Sequence, residues 1–538
     1  MTGAKSTGLF SRLMSKLGYQ KNVRNESVFK GAQGGSFWDW VVAPTTIDYQ
    51  IRTNIYRLRT RARELALNNP IVRQYLALLA QNVIGPRGMT LQAQVKNNDG
   101  NLNKAINDKI EAGWSEFWAS PFVDGKMSGV SGEQILLKSV ARDGEIFVRG
   151  CIGRQFNRFG FALQIIDPDL VDHTYNRPRG DGQNEIRLGI EVDEWQRAVG
   201  VWIWNSYPQD INSGVPHQRT FIPAAEIWHI FDPERANQSR GITWLNSVMT
   251  SLKHLDGFME AELVAARTAA CAFPVFEHSD TTQGVDENSK DYNIELNPGS
   301  GFALPAGLKL AEWNPNHPNI AVGEFTKACL RFFSSGMNVS YNALANDLEG
   351  VNYSSIRSGL LVERDRWRVL QEWWVAAFRQ PIFEAWLKWS LISGALVLDS
   401  RDPAKFKSVK WTARGWTWVD PLKDVNAAVI AIENGLGSRT SSLAEQGEDF
   451  EEICGELANE KLIAADAGLD FSGAAVTAKD VVKQAEADEQ TTDEQTTGTD
   501  KKAKNRLRLV ALDALLNDED IDSERARKII NLYRRDQE

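Results

Sequence analysis

NVSYNALANDLEGVNYSS (338–355) separates two aromatic-rich apolar segments, FTKACLRFFSSG before it and SGLLVERDRWRVLQEWWVAAF after it. Both flanks read as helix. The interval holds Asn338, Asn342, Asn346 and Asn352, with no Lys or Arg. At about sixteen residues it is long for a helix–helix connection inside a packed domain. Two readings stand side by side: a loop that meets a partner, or a corner in which asparagine serves turn geometry.

Outward from this break the helical pattern continues. Ile356, Leu360, Trp367, Leu370, Trp374, Phe378, Ile382, Trp386 and Trp389 hold a stripe of 3.6-type period over 354–393, and Pro381 is expected to kink it. On the N-terminal side a helix is expected over 319–336, and another over GITWLNSVMTSLKHLDGFMEAELVAARTAACAF (241–273). Short strands are expected around 274–312. A further helix is expected over 51–84, ending at Gly85-Pro86, with MTLQAQV (89–95) alternating as a strand. Arg57, Arg59, Arg61 and Arg63 on its early turns read as a solvated face paired with local acids.

Helices over 101–119 and 131–142 precede a strand-rich zone: GEIFVRGCIG, GFALQIID, IRLGIEVD, AVGVWIWNSY and EIWHIFD. This is a mixed α+β body without βαβ alternation, which disfavours a doubly wound nucleotide-binding sheet. Asp420-Pro421 starts a helix and Gly435 stops it. DEQTT occurs twice in a flexible linker, and a charged amphipathic helix is expected at the C-terminus.

The net charge of −9 does not suit a chain that grips nucleic acid tightly. Within residues 1–30, however, six Lys or Arg face one Glu, a basic arm. Cysteines at 151, 271, 329 and 454 form no CxxC pair, so neither a zinc finger nor a disulfide framework is expected. The most apolar segment is broken by Arg379, Glu384 and Lys388; no membrane span and no secretory signal are expected.

Signatures of catalysis are missing: no GxxxxGK[ST], no HExxH, no GxSxG. The six histidines never pair at metal-ligand spacing, and His229 reads as a core residue of a strand. Asp518, Asp520 and Asp522 have calcium-loop spacing but lack the Gly and Glu that such a loop needs. The expectation is a non-enzyme with no cofactor and no metal. The competing reading is a DNA-processing enzyme with Asp143, Glu145 and Asp169 as a metal-binding carboxylate set.

An ordered series of blocks resembles lambda-type phage portal proteins. RARELALNNPIVRQYLALLAQNVIGPRGMTLQ resembles their N-terminal signature. It is followed in order by RDGEIFVRG, IIDPDLV, IRLGIEVDEWQRAVGVWIW, EIWHIFDPERANQSRGITWLNSVM, GMNVSYNALANDLEGVNYSSIRSG and VDPLKDVNAAVIAIENGLGSRTSSLAEQGEDFEEI, over about 45–470. The resemblance implies a ring, normally of twelve subunits, at one capsid vertex of the virion, assembled in the host cytoplasm. Double-stranded DNA passes through it non-specifically, and terminase, which supplies the ATPase, docks first and a head–tail adaptor later. Major capsid and scaffold proteins are the other implied partners, and no membrane is involved. A neck or adaptor ring without a channel loop is the alternative within the same class.

The resemblance also implies a division of residues 48–470, to which composition adds the basic arm, the linker and the C-terminal helix. Residues 1–47 are a basic arm and 48–240 an α+β wing. Stem helices at 241–273 and 319–337 flank a small clip at 274–318. A tunnel loop occupies 338–353 and a long wing helix 354–395. A helical crown spans 396–470, the linker 471–503 and the charged C-terminal helix 504–538. Asn338, Tyr341, Asn342, Leu344, Asn346, Asp347, Leu348 and Asn352 are then the residues expected to face DNA, with Tyr341, Leu344 and Leu348 as bulk narrowing the bore. Lys327 and Arg331, one turn apart, line the stem channel or pair with a neighbouring subunit.

Overall fold

The computed structural model describes residues 45–180, 182–208, 217–270, 275–278, 308–311, 321–349, 353–417 and 421–468. The basic arm up to 44, most of the expected clip, Asn352, the linker and the C-terminal helix lie outside the described residues. The chain divides into two compact units, up to Arg414 and from Gly415.

The first unit begins with α1 (Ile47–Asn68) and α2 (Pro70–Leu79). One uninterrupted helix was expected over 51–84, but the chain breaks at Asn69. Its backbone is extended, its Oδ1 accepts from the Ile71 and Val72 amides (3.0 and 3.1 Å), and Pro70 takes the first helical position. Asn followed by Pro is a helix start, and proline also excludes the preceding residue from helical geometry. The arginine cluster departs from expectation too. Arg59 is buried and Arg63 half-buried, and their partners are not local acids but Asp143, Glu145, Asp167 and Asp169, eighty or more residues on.

After a π-helical turn (Ala80–Ile84), β1 (Thr90–Ala93), α3 (Lys104–Ala119) and α4 (Gly129–Asp143) follow. The strand-rich zone forms two antiparallel sheets. In the first, β2 (Glu145–Ile152) lies between β3 (Phe161–Ile166) and β8 (Ile227–Phe231). The second runs in sequence order: β4 (Glu185–Arg187), β5 (Ile190–Val192), β6 (Ala198–Trp204) and β7 (Arg219–Pro223). Strand β7 was not anticipated. Val171, Ile190, Val192, Val201 and Ile222 share a core with Phe147, Ile166 and Ile227 of the first sheet.

Helix α5 (Met249–Ala270) starts eight residues later than expected, because 241–248 form turns pinned to the end of α4. There Thr243 Oγ1 donates to the Ala141 carbonyl at 3.2 Å. Strands β9 (Val275–His278) and β10 (Leu308–Ala311) pair antiparallel. Then come α6 (Ala321–Met337), α7 (Tyr341–Ala345) and α8 (Tyr353–Trp374). The irregularity expected at Pro381 takes the form of a π-helical turn, Val375–Arg379, leading into α9 (Gln380–Ser393). Proline has no N–H to continue the ladder, and the Gln380 N–H reaches back to Val375, so the register slips by one residue just before it. Strand β11 (Val409–Thr412), also unanticipated, pairs with β1, so residues 396–414 pack within the first unit.

Aromatic rings of α3 and α9 form the heart of this unit. Trp114 stacks on Trp118 (4.9 Å) and meets Phe383 and Trp386 edge-on at 5.6 and 5.3 Å. Such offset and edge contacts add roughly 0.5–1.5 kcal/mol each beyond area burial. Tryptophan is less uniformly internal than its chemistry suggested: Trp114, Trp118, Trp367, Trp374 and Trp386 are buried, most others are half-buried, and Trp195 is 80% exposed.

The second unit contains α10 (Pro421–Glu433), α11 (Arg439–Gln446) and α12 (Phe450–Asp466). Gly435, in left-handed geometry, ends the turn after α10 as expected. Ser438 and Ser441 form a reciprocal cap at the start of α11, and Asp449 caps α12.

Candidate functional site

The chain leaves α6 through a left-handed residue. Asn338 has φ +56°, its N–H reaches the Ser335 carbonyl (3.3 Å), and the Val339 N–H reaches the Ser334 carbonyl (3.0 Å). This is a Schellman ending, and asparagine is among the few non-glycine residues that tolerate it. Ser340 then opens α7: its Oγ accepts from the Ala343 amide at 3.3 Å. Asn346, at φ +52°, closes the same turn. Two of the four asparagines therefore answer the geometric reading of the loop.

Two other elements hold α7 by hydrogen bonds. Glu363 of α8 accepts from Ser340 twice, from Oγ at 2.8 Å and from the amide at 3.4 Å. Gln74 of α2 donates to the Ala343 carbonyl at 3.1 Å. Leu344 is buried; expected as bulk facing outward, it is instead the apolar anchor of the turn.

Beyond Asn346 the loop is exposed and self-bonded. The Tyr341 hydroxyl donates to Asp347 Oδ2 (2.6 Å) and the Glu349 amide to Asp347 Oδ1 (2.9 Å). The Tyr341 hydroxyl, then the Glu349 amide, hold the Asp347 carboxyl below its ordinary value, and the same bond pushes the Tyr341 hydroxyl up. Lys327 Nζ lies 3.1 Å from Glu349 Oε2, and this bond raises the lysine. The Arg331 guanidinium stands 5.3 Å from the Tyr341 ring centre. Both α6 cations thus engage the loop of their own chain. Leu348 is 66% exposed, and Asn342 is half-buried.

Sequence reasoning missed Glu363 and Gln74. One lies 23 residues after its partner and the other 269 before, at no local spacing that reports contact.

The carboxylates weighed as a metal site are otherwise engaged. Glu145 takes Arg59, Arg240, His229 and the Gly241 amide. Arg63 bridges Asp143 (2.8 Å), Asp167 (3.0 Å) and Asp169 (2.5 Å). An arginine neutralises each acid, where a cation site would need their oxygens to converge. Among the described residues no group of three or more His, Cys, Asp or Glu is arranged to hold a metal ion. His229 is half-buried, stacked on Phe147 at 4.2 Å.

Comparison with known proteins agrees with the resemblance. A family model described as phage portal protein, lambda family, matches residues 33–371. The probable portal protein of Halomonas phage phiHAP-1 is 34% identical over 467 residues, covering 84% of this chain and 89% of that protein. Portal protein B of Escherichia phage lambda is 23% identical over 484 residues, covering 81% and 89%. A chain from the neck of a native gene transfer agent particle aligns at a TM-score of 0.41 with 13% identity, covering 72% of this chain and 91% of that one. That structural likeness is too slight to carry an argument. The family model and the phiHAP-1 relative carry it: this chain belongs to the lambda family of phage portal proteins.

Proposed function

We propose that this portal protein is a ring-forming structural subunit of the virion whose 338–349 segment faces DNA moving through the ring. The observation that carries the reading is electrostatic. From Asn338 to Glu349 there is no Lys or Arg, while Asp347 and Glu349 are present. The two cations of α6, Lys327 and Arg331, are already engaged by Glu349 and Tyr341.

A conduit must not hold its cargo. Neutralising 6–10 phosphates changes DNA affinity by about 10³–10⁵ across modest salt shifts. In a ring each loop residue recurs once per subunit, so one free lysine per loop becomes a collar of positive charge. Asparagine offers exchangeable neutral hydrogen bonds, and the two acids repel phosphate.

On this reading 48–240 serves as the wing, α5 within 241–273 and α6 within 319–337 as stem helices, 274–318 as the clip, 354–395 as the long wing helix and the part of 396–470 beyond Arg414 as the crown. Terminase and then a head–tail adaptor dock on the ring, normally of twelve subunits. The family is structural, so catalysis and the ATPase belong to the partner.

The test is Asn342→Lys. Asn346 is unsuitable because its positive φ penalises a lysine by itself. The variant is expected to form normal rings by electron microscopy and to lower packaged DNA per head. Normal packaged DNA with intact rings would remove the loop from the mechanism.

A further inference from the structure

We propose that Glu363 is the positioning residue of this loop: by gripping Ser340 it sets where the exposed portion, Asn346–Glu349, stands. The consequence for DNA rests on the loop reading above; the positioning itself does not.

The geometry separates the segment into a base and a lip. The base is Ser340–Ala345. Both donors of Ser340, its amide and its hydroxyl, go to the two oxygens of one carboxylate, at 3.4 and 2.8 Å. Two bonds from one residue to one planar group fix direction as well as distance, and bonds to an ionised acceptor are roughly twice as strong as neutral ones. The same hydroxyl oxygen caps α7 through the Ala343 amide, so the grip on Ser340 is also a grip on the helix axis. Gln74 and buried Leu344 secure the far end of the turn.

The lip has no such seat. Its described side-chain bonds run to Tyr341, inside the base, and to Lys327 on α6. Asp347 therefore takes its position from Tyr341, and Tyr341 follows Ser340 directly in the chain. Glu363 sits on α8, the helix after the loop, while Asn338 ends α6, the helix before it. Glu363 therefore couples the base of the loop to α8 as well as to α6.

The experiment uses the full chain and its own sequence as reporter. Glu349 is exposed in the parent, so a glutamate-specific protease cuts after it at a rate set by how firmly the base holds the lip. Glu363→Ala is expected to raise the cleavage rate after Glu349 about tenfold or more, the scale of losing charge-assisted hydrogen bonds. Ser340→Ala should do the same. Glu363→Gln, which keeps one acceptor, should fall between Glu363→Ala and the parent. Cleavage after Glu116 and Glu384, in the body of the unit, should stay unchanged, with ring assembly intact. An unchanged rate at Glu349 in Glu363→Ala overturns the proposal, as does an equal rise at all three glutamates, which reports general unfolding. If cleavage at Glu349 rises while packaged DNA stays normal, positioning by Glu363 stands and the DNA-facing reading falls.

Discussion

Arg240 Nε stands 2.7 Å from Glu145 Oε1, and both side chains are fully buried. The pair joins the start of β2 to the turn before α5. Arg59 of α1 meets the same oxygen, His229 of β8 (2.7 Å) and the Gly241 amide (2.8 Å) the other. Arg240 spends its remaining donors on the carbonyls of Leu188 (2.7 Å) and Pro168 (3.1 Å). The Glu145–Arg240 pair thus ties α1, both sheets and the approach to α5 together.

Removing it strands two buried guanidiniums. Glu145→Ala is expected to cost about 3–5 kcal/mol, the scale for breaking a buried ion pair from one side. Urea unfolding of the variant against the parent reads the loss directly. A cost below about 1 kcal/mol would mean that the arginines find other partners.

The same hub sets an acid limit. Burial alone would raise the Glu145 carboxyl, but Arg240, then Arg59 and His229, outweigh it and hold it well below its ordinary value of 4.5. As pH falls, the unfolded chain therefore takes up this proton before the folded one does. The stabilisation is full above about pH 4.5 and disappears as pH falls through the folded value. His229 acts in the same direction. Burial, with Arg240 and Arg59, depresses it below its ordinary 6.5 despite Glu145, so protonation below that value favours the unfolded chain. Urea midpoints measured from about pH 7 down to about pH 4 should fall steadily. In Glu145→Ala the part of that fall near pH 4.5 and below should shrink.

Much of this was legible in the sequence, and most of what was not depends on partners distant in the chain. Helix and strand existence followed from period and turn chemistry, and Gly435 stopped its helix where glycine should. Asn69-Pro70 was a local signal that was overlooked. The Arg59 and Arg63 partners were not local. An arginine on a helix that looks amphipathic is a surface residue unless acids from distant strands arrive, and nothing at i+3 or i+4 announces Asp143 or Asp169. Strand β7 is short, carries Pro223 and forms an edge of the second sheet, where proline is tolerated and the strand signal is weak. In the loop the asparagines stand out in the sequence by number alone. At Asn338 and Asn346 they answer backbone geometry, and the grip of Glu363 had no spacing signature at all.

A second buried pair separates specificity from stability. Glu133 accepts from Arg379 Nε and Nη2, both at 2.5 Å, and from Trp374 Nε1 at 3.0 Å. Arg379 lies between Trp118 and Trp411, 4.5 and 5.2 Å from their ring centres. Glu133→Ala should cost about 3–5 kcal/mol and change Trp374 fluorescence. The double substitution Glu133→Leu with Arg379→Met should recover most of that loss, because apolar replacements of both partners remove the desolvation penalty with the attraction. A double-mutant cycle by urea unfolding gives the coupling energy, and a coupling near zero would contradict the pairing.

Asn338 provides a backbone test at the root of the loop. With φ +56°, glycine fits and alanine is strained. Asn338→Gly should change stability by only a few tenths of a kcal/mol, whereas Asn338→Ala should cost about 1 kcal/mol. Thermal unfolding of the two variants distinguishes this geometric role from one carried by the amide side chain, which would make both substitutions equally costly.

The Lys327–Glu349 pair gives the sharpest test of why the loop carries no free cation. Both groups are solvent-accessible, so the pair adds little stability, and its breakage should leave melting behaviour unchanged. Its consequence is electrostatic. Glu349→Gln leaves a bare lysine on every subunit of an assembled ring and removes one phosphate-repelling charge from each. Assembled Glu349→Gln should therefore retain a fluorescent duplex more tightly than the parent at low salt. The excess should vanish as salt rises, with a steeper slope of log affinity against log salt, since each lysine that meets phosphate releases about one counterion. Adding Lys327→Ala should return both affinity and slope to the parent values while the glutamine remains. If Glu349→Gln alone leaves the salt slope unchanged, Lys327 does not reach DNA even when unpaired. The charge of the lip would then have no bearing on the passage of DNA.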